Sequence, residues 1–255
     1  MGLGLGNSLS SPMYKQQTSS YAVTKSVSLD GTNDHIVITN SVANDIKNIG
    51  SMSIWLKLET ANQNDTIMNL HTGINNDNKI AILFINQGGS ELIRINCRGG
   101  SSNTILDHSY SASDSVSNGW THFVCAWDRE NNTIGIYLNG TKVAASTASI
   151  ASFATTANKI YIGKPGNADN AFFQGHFSNL ALFGNVLTDV QATELYNGGK
   201  PLAMLEGDIK DRMDLRAWLP LDEASGNFID RLDRTENGAN GVPTNSPTQG
   251  TTDVP

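Results

Sequence analysis

Paired carboxylates would be the first sign of a hydrolase, because hydrolysis of a glycosidic bond needs an acid and a second carboxylate across the bond. The nearest such string is Glu206-Gly207-Asp208-Ile209-Lys210-Asp211. It follows the glycine pair at 198–199, in a linker or short helix and not on a strand, so we interpret it as a solvated run of charges. The sequence therefore predicts that the protein is not an enzyme.

Metal ligands form no familiar pattern either. The five histidines lack zinc spacing, and neither cysteine has a second one close by. Three loops rich in Asn and Asp offer the hard oxygen ligands that Ca²⁺ prefers. The candidate ligands in these loops are Asp30, Asp34, Asp77 and Asp169. Since Asn and Asp also cap turns with their own side chains, we expect no cofactor, with Ca²⁺ as the alternative.

Charge and composition exclude several classes of partner. The net charge is −7 and only 16% of the residues are charged, without basic clusters. Nucleic-acid binding and binding to anionic membranes both need such clusters, so neither is expected. The N-terminal sequence lacks the features of a signal peptide, and no apolar run could span a bilayer. Cys97 and Cys125 lie in apolar runs and are expected to be buried free thiols.

The positions of these residues are set by many short segments in which apolar and polar residues alternate. Such alternation occurs in 52–58, 80–84, 93–97, 123–127 and 134–138. Turns rich in Gly, Asn and Asp separate the segments. The pattern predicts an all-β fold, an antiparallel two-sheet β-sandwich of the jelly-roll type, with extended terminal arms.

One or two short helices interrupt the strands. Thr188–Tyr196 has Thr188 as a good N-cap and is followed by Gly198-Gly199. A weaker helical pattern covers Met204–Arg212.

The chain divides into three parts. Residues 1–20 are rich in Gly, Ser and Gln and predict an extended arm. Residues 21–241 form the sandwich, and residues 242–255 an extended tail. Within the sandwich, 215–226 supplies an edge strand from the C-terminal side.

Several strings resemble the concanavalin A-like jelly rolls of the laminin G and pentraxin type. Asn118–Asp128 with Ile134–Gly140 is similar to their "W-H-H-V-A-V-T-Y-D … L-Y-V-N-G" hairpin. Ser28–Ile36 and Ser53–Lys57 resemble "L-x-F-D-G-x-x-D-Y-V" and "S-x-W-V-K". With a further match from Ile162 to Thr188, the resemblance spans about residues 22–198. It implies a lectin-like sandwich.

One element departs from the family order. A segment like "L-V-A-W-W-P-F-D-E-G-S-G … N-G-x-x-G" comes first in these proteins, but its counterpart here, Leu215–Gly226 with 237–241, comes last. We favour a permuted chain in which this strand pairs within its own sandwich or a neighbour's. A truncated second module is the alternative, but too few residues follow for another core.

The resemblance also implies a ligand. Aromatic and amide side chains in rim loops of such sandwiches grip glycans. The candidate glycan-binding residues are Tyr110, Asn167, Asn170 and Phe172. Phe172-Phe173 is equally typical of the start of a core strand, which is the reading we favour.

These observations predict a non-enzymatic virion structural protein, such as a phage capsid decoration or tail-associated protein, assembled in the host cytoplasm and exposed on the virion surface. Its expected partners are other capsid or tail proteins, copies of itself and host-surface glycans. Docking is assigned to apolar residues of the N-terminal arm, namely Leu3, Leu5, Leu9, Met13 and Tyr14. A free extracellular carbohydrate-binding module or adhesin is the first alternative and a glycan hydrolase the second.

Overall fold

The computed structural model describes most of the chain from residue 21 onwards. The described residues are 21–59, 64–71, 78–100, 102–110, 119–151, 153, 156–166, 170–204, 209, 212–232 and 238–255. The strands are β1 (Ser26–Asp30), β2 (His35–Ile38), β3 (Ile49–Leu58), β4 (Asp65–His71), β5 (Asn78–Gln87), β6 (Ser90–Gly99), β7 (Ser102–Tyr110), β8 (Thr121–Asp128), β9 (Thr133–Leu138), β10 (Thr141–Ser146), β11 (Lys159–Ile162), β12 (Gln174–Phe183), β13 (Leu215–Leu219), β14 (Gly241–Thr244) and β15 (Thr248–Thr251). The helices are α1 (Val42–Ile46) and α2 (Asp189–Tyr196).

These strands form two antiparallel sheets that stack as a sandwich. Sheet A has the order β10-β9-β8-β3-β12-β1-β15, and β13 pairs with β12 beyond the end of β1. Sheet B has the order β14-β2-β11-β4-β5-β6-β7. The predicted all-β, two-sheet jelly-roll class is confirmed.

The main core fills the gap between the two sheets. Phe123, Cys125 and Trp127 alternate along β8 and are completely buried there, as the alternation predicts. The indole Nε1 of Trp127 donates a 2.7 Å hydrogen bond to the carbonyl oxygen of Ile46, so its polar group is satisfied inside the core. Cys97 and Cys125 are buried free thiols, which confirms the expectation for them.

A second apolar core lies on the outer face of sheet A. There α2 and the chain after it cover side chains of β8, β12 and β13, including Val124, Phe183 and Trp218. The predicted helix is confirmed: Thr188 caps α2 through a reciprocal capping box with Gln191. Most of the second predicted helix, Met204–Arg212, lies outside the described residues. Because sheet A is covered in this way, only sheet B has an outer face without a helix packed on it among the described residues.

The C-terminal part of the chain completes both sheets. Strand β13 pairs with β12 of the same chain, so the permuted strand fills a slot in its own sandwich. The sequence predicts an extended tail from residue 242, whereas the structure has two further strands there. Strand β14 pairs with β2 at the edge of sheet B, and β15 pairs with β1 at the edge of sheet A. Within the described residues, no helix is both long and apolar enough to cross a membrane.

Candidate functional site

The outer face of sheet B consists of the side chains that alternate with its core residues. Strand pairing aligns one row across all seven strands: Val242, Val37, Tyr161, Asn69, Ala81, Asn96 and Ile105. Asn69 is only 4% exposed, yet its Oδ1 atom has no hydrogen-bond partner, and the same holds for Oδ1 of Asn96. An unpaired buried acceptor costs about 1–3 kcal/mol. We call this row the amide row; Asn96 and Tyr161 are its partly exposed polar members, whereas Asn69 is buried.

A second row beside the amide row is basic. It comprises Lys159, His71, Lys79, Arg98 and Asn103, on five neighbouring strands. We call it the basic row. On the other side of the amide row, Arg94 makes a bidentate ion pair with Asp107, with both N···O distances at 2.7 Å. Of the described side chains that strand pairing places on this face, Asp107 is the only carboxylate.

Aromatic rings border the two rows at the β2 side of the sheet. The imidazole of His71 stacks on Tyr161, with 5.2 Å between ring centroids and 12° between planes. His35 lies 6.1 Å from both Tyr161 and Phe172. The ammonium of Lys164 is 5.9 Å from the Tyr161 centroid and 5.6 Å from that of Phe172. Aromatic faces next to amide groups can stack on sugar rings while the amides bond hydroxyl groups.

The loop after β11 presses on this face. A Cβ atom on Gly166 would lie 2.5 Å from Cδ2 of His71 and 3.2 Å from Oδ1 of Asn69. Glycine is therefore required at this position, because any side chain would collide with the floor of the site. The loop fixes one boundary of the candidate site.

Electrostatics on the face are dominated by cations. Burial lowers the pKa of His71, and the nearby Lys159 and Lys79 lower it further. The pKa of Lys79 is itself lowered by burial and by Arg98. His71 is consequently neutral at pH 7, and the positive charge of the basic row resides on the lysines and the arginine.

The residues predicted to bind glycans have mixed positions. Phe172 borders the site and Asn170 is exposed in the loop beside it. Tyr110 lies at the end of β7, where its ring packs edge-on against Phe84 and its hydroxyl donates to Glu91 at 3.1 Å. Tyr110 and Phe172 are both 6% exposed, so neither ring offers a free face for a sugar. Phe173 belongs to the core between the sheets, whereas Phe172 packs beside His35 and Lys164. Asn167 lies outside the described residues.

Two of the four predicted calcium ligands, Asp30 and Asp34, lie in the described part of the chain. The Oδ1 atom of Asp30 accepts hydrogen bonds from the backbone N–H groups of Thr32, Asn33 and Asp34, and these bonds lower its pKa. This is the turn capping by an Asp side chain that the sequence offers as the alternative to metal binding. Asp34 is buried, and burial raises its pKa, followed by the charge of Asp30. Among the described residues no group of three or more His, Cys, Asp and Glu side chains could hold a metal ion.

Several predicted residues fall where the structure gives no description. Asp77 and Asp169 are two of them. All five arm residues assigned to docking, Leu3, Leu5, Leu9, Met13 and Tyr14, are also outside the described residues.

Two other features of the molecule are less suited to a polar ligand. A cleft of about 390 Å³ beside α2 is lined mainly by apolar groups such as Val186 and Leu187, and its polar side chains Lys142 and Asp189 already form an ion pair. The second feature is a Ser–His pair. His122 accepts from or donates to Ser53 at 2.8 Å, but both side chains are buried beneath α2. Burial lowers the pKa of His122 to about 3, so this pair is a packing element closed to substrates.

The fold is a lectin-type sandwich with a polar outer face, and sequence comparison shows the family to which the chain belongs. The family model described as "Concanavalin A-like lectin/glucanases superfamily" matches residues 30–192, more than half of the chain. The chain belongs to this superfamily, which confirms the resemblance of the quoted motifs. No curated protein sequence matches the chain.

Solved structures share the fold at low sequence identity. A presumed carbohydrate-binding protein of Bacteroides ovatus has a TM-score of 0.61 and 18% identity, covering 92% of this chain and 62% of its own. The chain thus spans less than two thirds of that protein. The heptameric SAP-like pentraxin of Limulus polyphemus has a TM-score of 0.61 and 14% identity, over 91% of this chain and 97% of the pentraxin. The CBM40 domain of Ruminococcus gnavus IT-sialidase, bound to α2,3-sialyllactose, has a TM-score of 0.54 and 14% identity, over 69% of this chain and 100% of that domain.

Proposed function

We propose that the protein is a non-enzymatic glycan-binding protein whose binding surface is the outer face of sheet B. The observation that carries the proposal is the amide row, in which the partly exposed side chains of Tyr161 and Asn96 offer an aromatic ring and an amide group on one face of the sheet. Ring faces stack on sugars and amide groups bond hydroxyls, so this combination suits a ligand rich in hydroxyl groups.

The distribution of charge on the face supports binding without catalysis. A glycosidase needs two carboxylates on either side of the scissile bond. Asp107 is the only carboxylate on the described part of this face, and both of its oxygens accept hydrogen bonds from Arg94. The membership in a lectin-type superfamily and the likeness to a sialyllactose-bound CBM40 domain agree with a binding role.

Binding to a glycan array tests the proposal. We expect the labelled protein to bind a defined set of glycans, and Tyr161→Ala and Asn96→Ala each to weaken that binding by about tenfold, because one removes the stacking face and the other an acceptor. Asn96→Ala should not lower the thermal midpoint of unfolding, since its buried Oδ1 atom makes no hydrogen bond in the free protein.

A matched control lies on the opposite side of the molecule. Val190 on α2 is 75% exposed, so Val190→Ser changes the surface without touching sheet B. It should bind like the unmodified protein. Equal binding by Tyr161→Ala, Asn96→Ala and Val190→Ser would place the glycan elsewhere and contradict the assignment of the site.

A second candidate function is the structural role on a virion surface, with residues 1–20 as the docking arm. It is favoured by the firm attachment of the chain where this arm begins. The hydroxyl of Tyr21 donates to Asp222 at 2.5 Å, its ring packs edge-on against Trp218, and Arg231 lies 5.5 Å from the ring centroid. Tyr21, the residue that follows the arm in sequence, is therefore held firmly on the sandwich. In this role the protein assembles with copies of itself and with capsid or tail proteins, and its exposed glycan-binding face meets the host surface.

Deletion of residues 1–20 tests the structural role. We expect the shortened chain to keep its thermal midpoint within about 2 °C, because Tyr21 and the sheets are untouched. In light scattering at increasing concentration, we expect the full chain to self-associate and the shortened chain to remain monomeric. A full chain that stays monomeric, or a deletion that abolishes folding, would contradict the assignment of the arm to docking.

A further inference from the structure

We propose that the outer face of sheet B selects glycans that carry a negatively charged group, a carboxylate or a sulfate, and that Lys79 and Lys159 make this selection. The inference rests on the proposed glycan-binding function and adds the charge of the ligand to it.

The two lysines stand on either side of one histidine. Register pairs Lys159 of β11 with His71 of β4, and His71 with Lys79 of β5. Since neighbouring strands lie about 4.8 Å apart, the two lysine backbones are roughly 10 Å apart across the sheet. Both side chains are partly exposed, whereas His71 between them is buried. Both lysines therefore present their charge on the outer face to either side of His71, whose ring is covered by the loop at Gly166.

These lysines have no acidic partner in the described part of the chain. Neither makes a salt bridge with any residue that the structure describes, and the carboxylate of Asp107 on this face is held by Arg94. Arg98 adds a third cation next to Lys79 in the same row. Like charges placed together raise the free energy of the unliganded face, and an anion bound between them lowers it.

The basic face contrasts with the rest of the protein. The net charge of the whole chain is −7, so an anionic ligand is repelled at long range unless it meets a local positive field. On the sheet A side the partly exposed acids include Asp189, Glu194 and Asp253. The basic row is therefore a local positive patch on an acidic protein, and it lies on the outer face of sheet B.

The amide row distinguishes a charged sugar from a simple anion. Its partly exposed member Asn96 offers an amide group to the hydroxyl groups of a sugar. Asn96 lies two residues from Arg98 along β6, and Arg98 pairs with Lys79, so the amide row and the basic row are neighbours on this face. A ligand that fits both rows presents hydroxyl groups to one and a negative group to the other.

An array of matched glycans tests this inference. It contains sets that share one core and differ only in being neutral, sialylated or sulfated. We expect the charged members to bind about tenfold more tightly than the neutral member in titrations at low salt, and this advantage to shrink at about 0.3 M NaCl. The double variant Lys79→Gln/Lys159→Gln should bind charged and neutral members alike. Preference between the sialylated and sulfated members identifies the anionic group.

The matched control is Lys200→Gln, which removes the same charge from an exposed site after α2. It should retain the preference for charged glycans. If neutral members bind as tightly as charged ones, or if the double variant keeps the preference, the selection by charge is refuted while the glycan-binding function stands. If no member of any set binds, both the selection and the proposed function are refuted.

Discussion

Removal of residues 241–255 is expected to unfold the protein or to lower its free energy of unfolding by about 5 kcal/mol. The deletion takes away β14, with its four residue pairs to β2, and β15, with three pairs to β1. Each backbone hydrogen bond contributes a net 0.5–1.5 kcal/mol, and domains of this kind are stable by only about 5–15 kcal/mol. The segment also contains Asp253, whose carboxylate accepts hydrogen bonds from Lys57 and Trp120.

Loss of this segment would also open the core. A Cβ atom on Gly241 would lie 2.7 Å from Ile36 and 3.0 Å from Leu219, so the backbone of β14 packs directly on buried side chains. Far-UV circular dichroism and urea unfolding measure the effect. A chain lacking only residues 254–255 is the matched control and should unfold like the full chain. An unchanged urea midpoint after the larger deletion would show that β14 and β15 contribute nothing to the fold.

The reason the sequence predicts a tail here is local and physical. Residues 241–251 contain Pro243, Pro247, Asn245 and two glycines, which are residue types unfavourable in central strands. Both strands are at sheet edges, where proline is tolerated because one side of the strand needs no donor. Asn245 and Ser246 have positive φ angles in the turn between them. Composition could not reveal that each of these segments pairs with an edge strand that lies far away in the sequence, β2 for β14 and β1 for β15.

The strands themselves could be predicted because their signal is periodic and local. Alternation along β3, β5, β6, β8 and β9 identifies which side chains face the core, and those residues are buried as expected. His122 shows the limit of that signal. The alternation correctly turns it away from the gap between the sheets, but cannot show that α2 covers the outer face and buries His122 against Ser53, Trp55 and Tyr196.

The candidate site was missed for a related reason. The polar residues of the site alternate with core residues along their strands; they are Asn69, Asn96, Lys79 and Lys159. In the sequence, such residues are typical of an ordinary solvated surface. Their alignment depends on the pairing of β11 with β4, which are far apart in the chain. A bulge between Thr66 and Met68 further disturbs the alternation along β4. Rim aromatics such as Tyr110 attract attention in the sequence, but packing against Phe84 buries that ring.

Asp65 is another residue whose environment no sequence pattern reveals. It begins β4 and pairs with Phe84, so it lies on the core side of sheet B and is 1% exposed. Its Oδ1 atom has no hydrogen-bond partner, and the backbone N–H of Gln174 only partly offsets its burial. Burial raises the pKa of Asp65 from 3.8 to about 7.

The variant Asp65→Asn is therefore expected to be more stable than the unmodified protein at pH 8 by about 3 kcal/mol, and about equally stable at pH 4. Between these values the folded state holds a proton on Asp65 that the unfolded state has released. The contribution of Asp65 to stability is thus fully present below pH 3.8 and is lost as the pH rises through about 7. Three pKa units correspond to about 4 kcal/mol, which relaxation of the site reduces. Asparagine stays neutral and can still accept from Gln174.

Urea unfolding of both proteins from pH 4 to pH 8 measures this difference directly. The comparison is needed because His122, with its pKa lowered to about 3, acts in the opposite direction, adding stability as the pH rises towards 6.5. His122 is present in both proteins, so its contribution cancels in the difference. The control Glu194→Gln removes an exposed ion pair with Arg212, worth about 0–1 kcal/mol, and should show no comparable gain at pH 8. A stability difference between Asp65→Asn and the unmodified protein that stays constant from pH 4 to pH 8 would mean that Asp65 is ionised in the folded state throughout, in contact with solvent or with a cation.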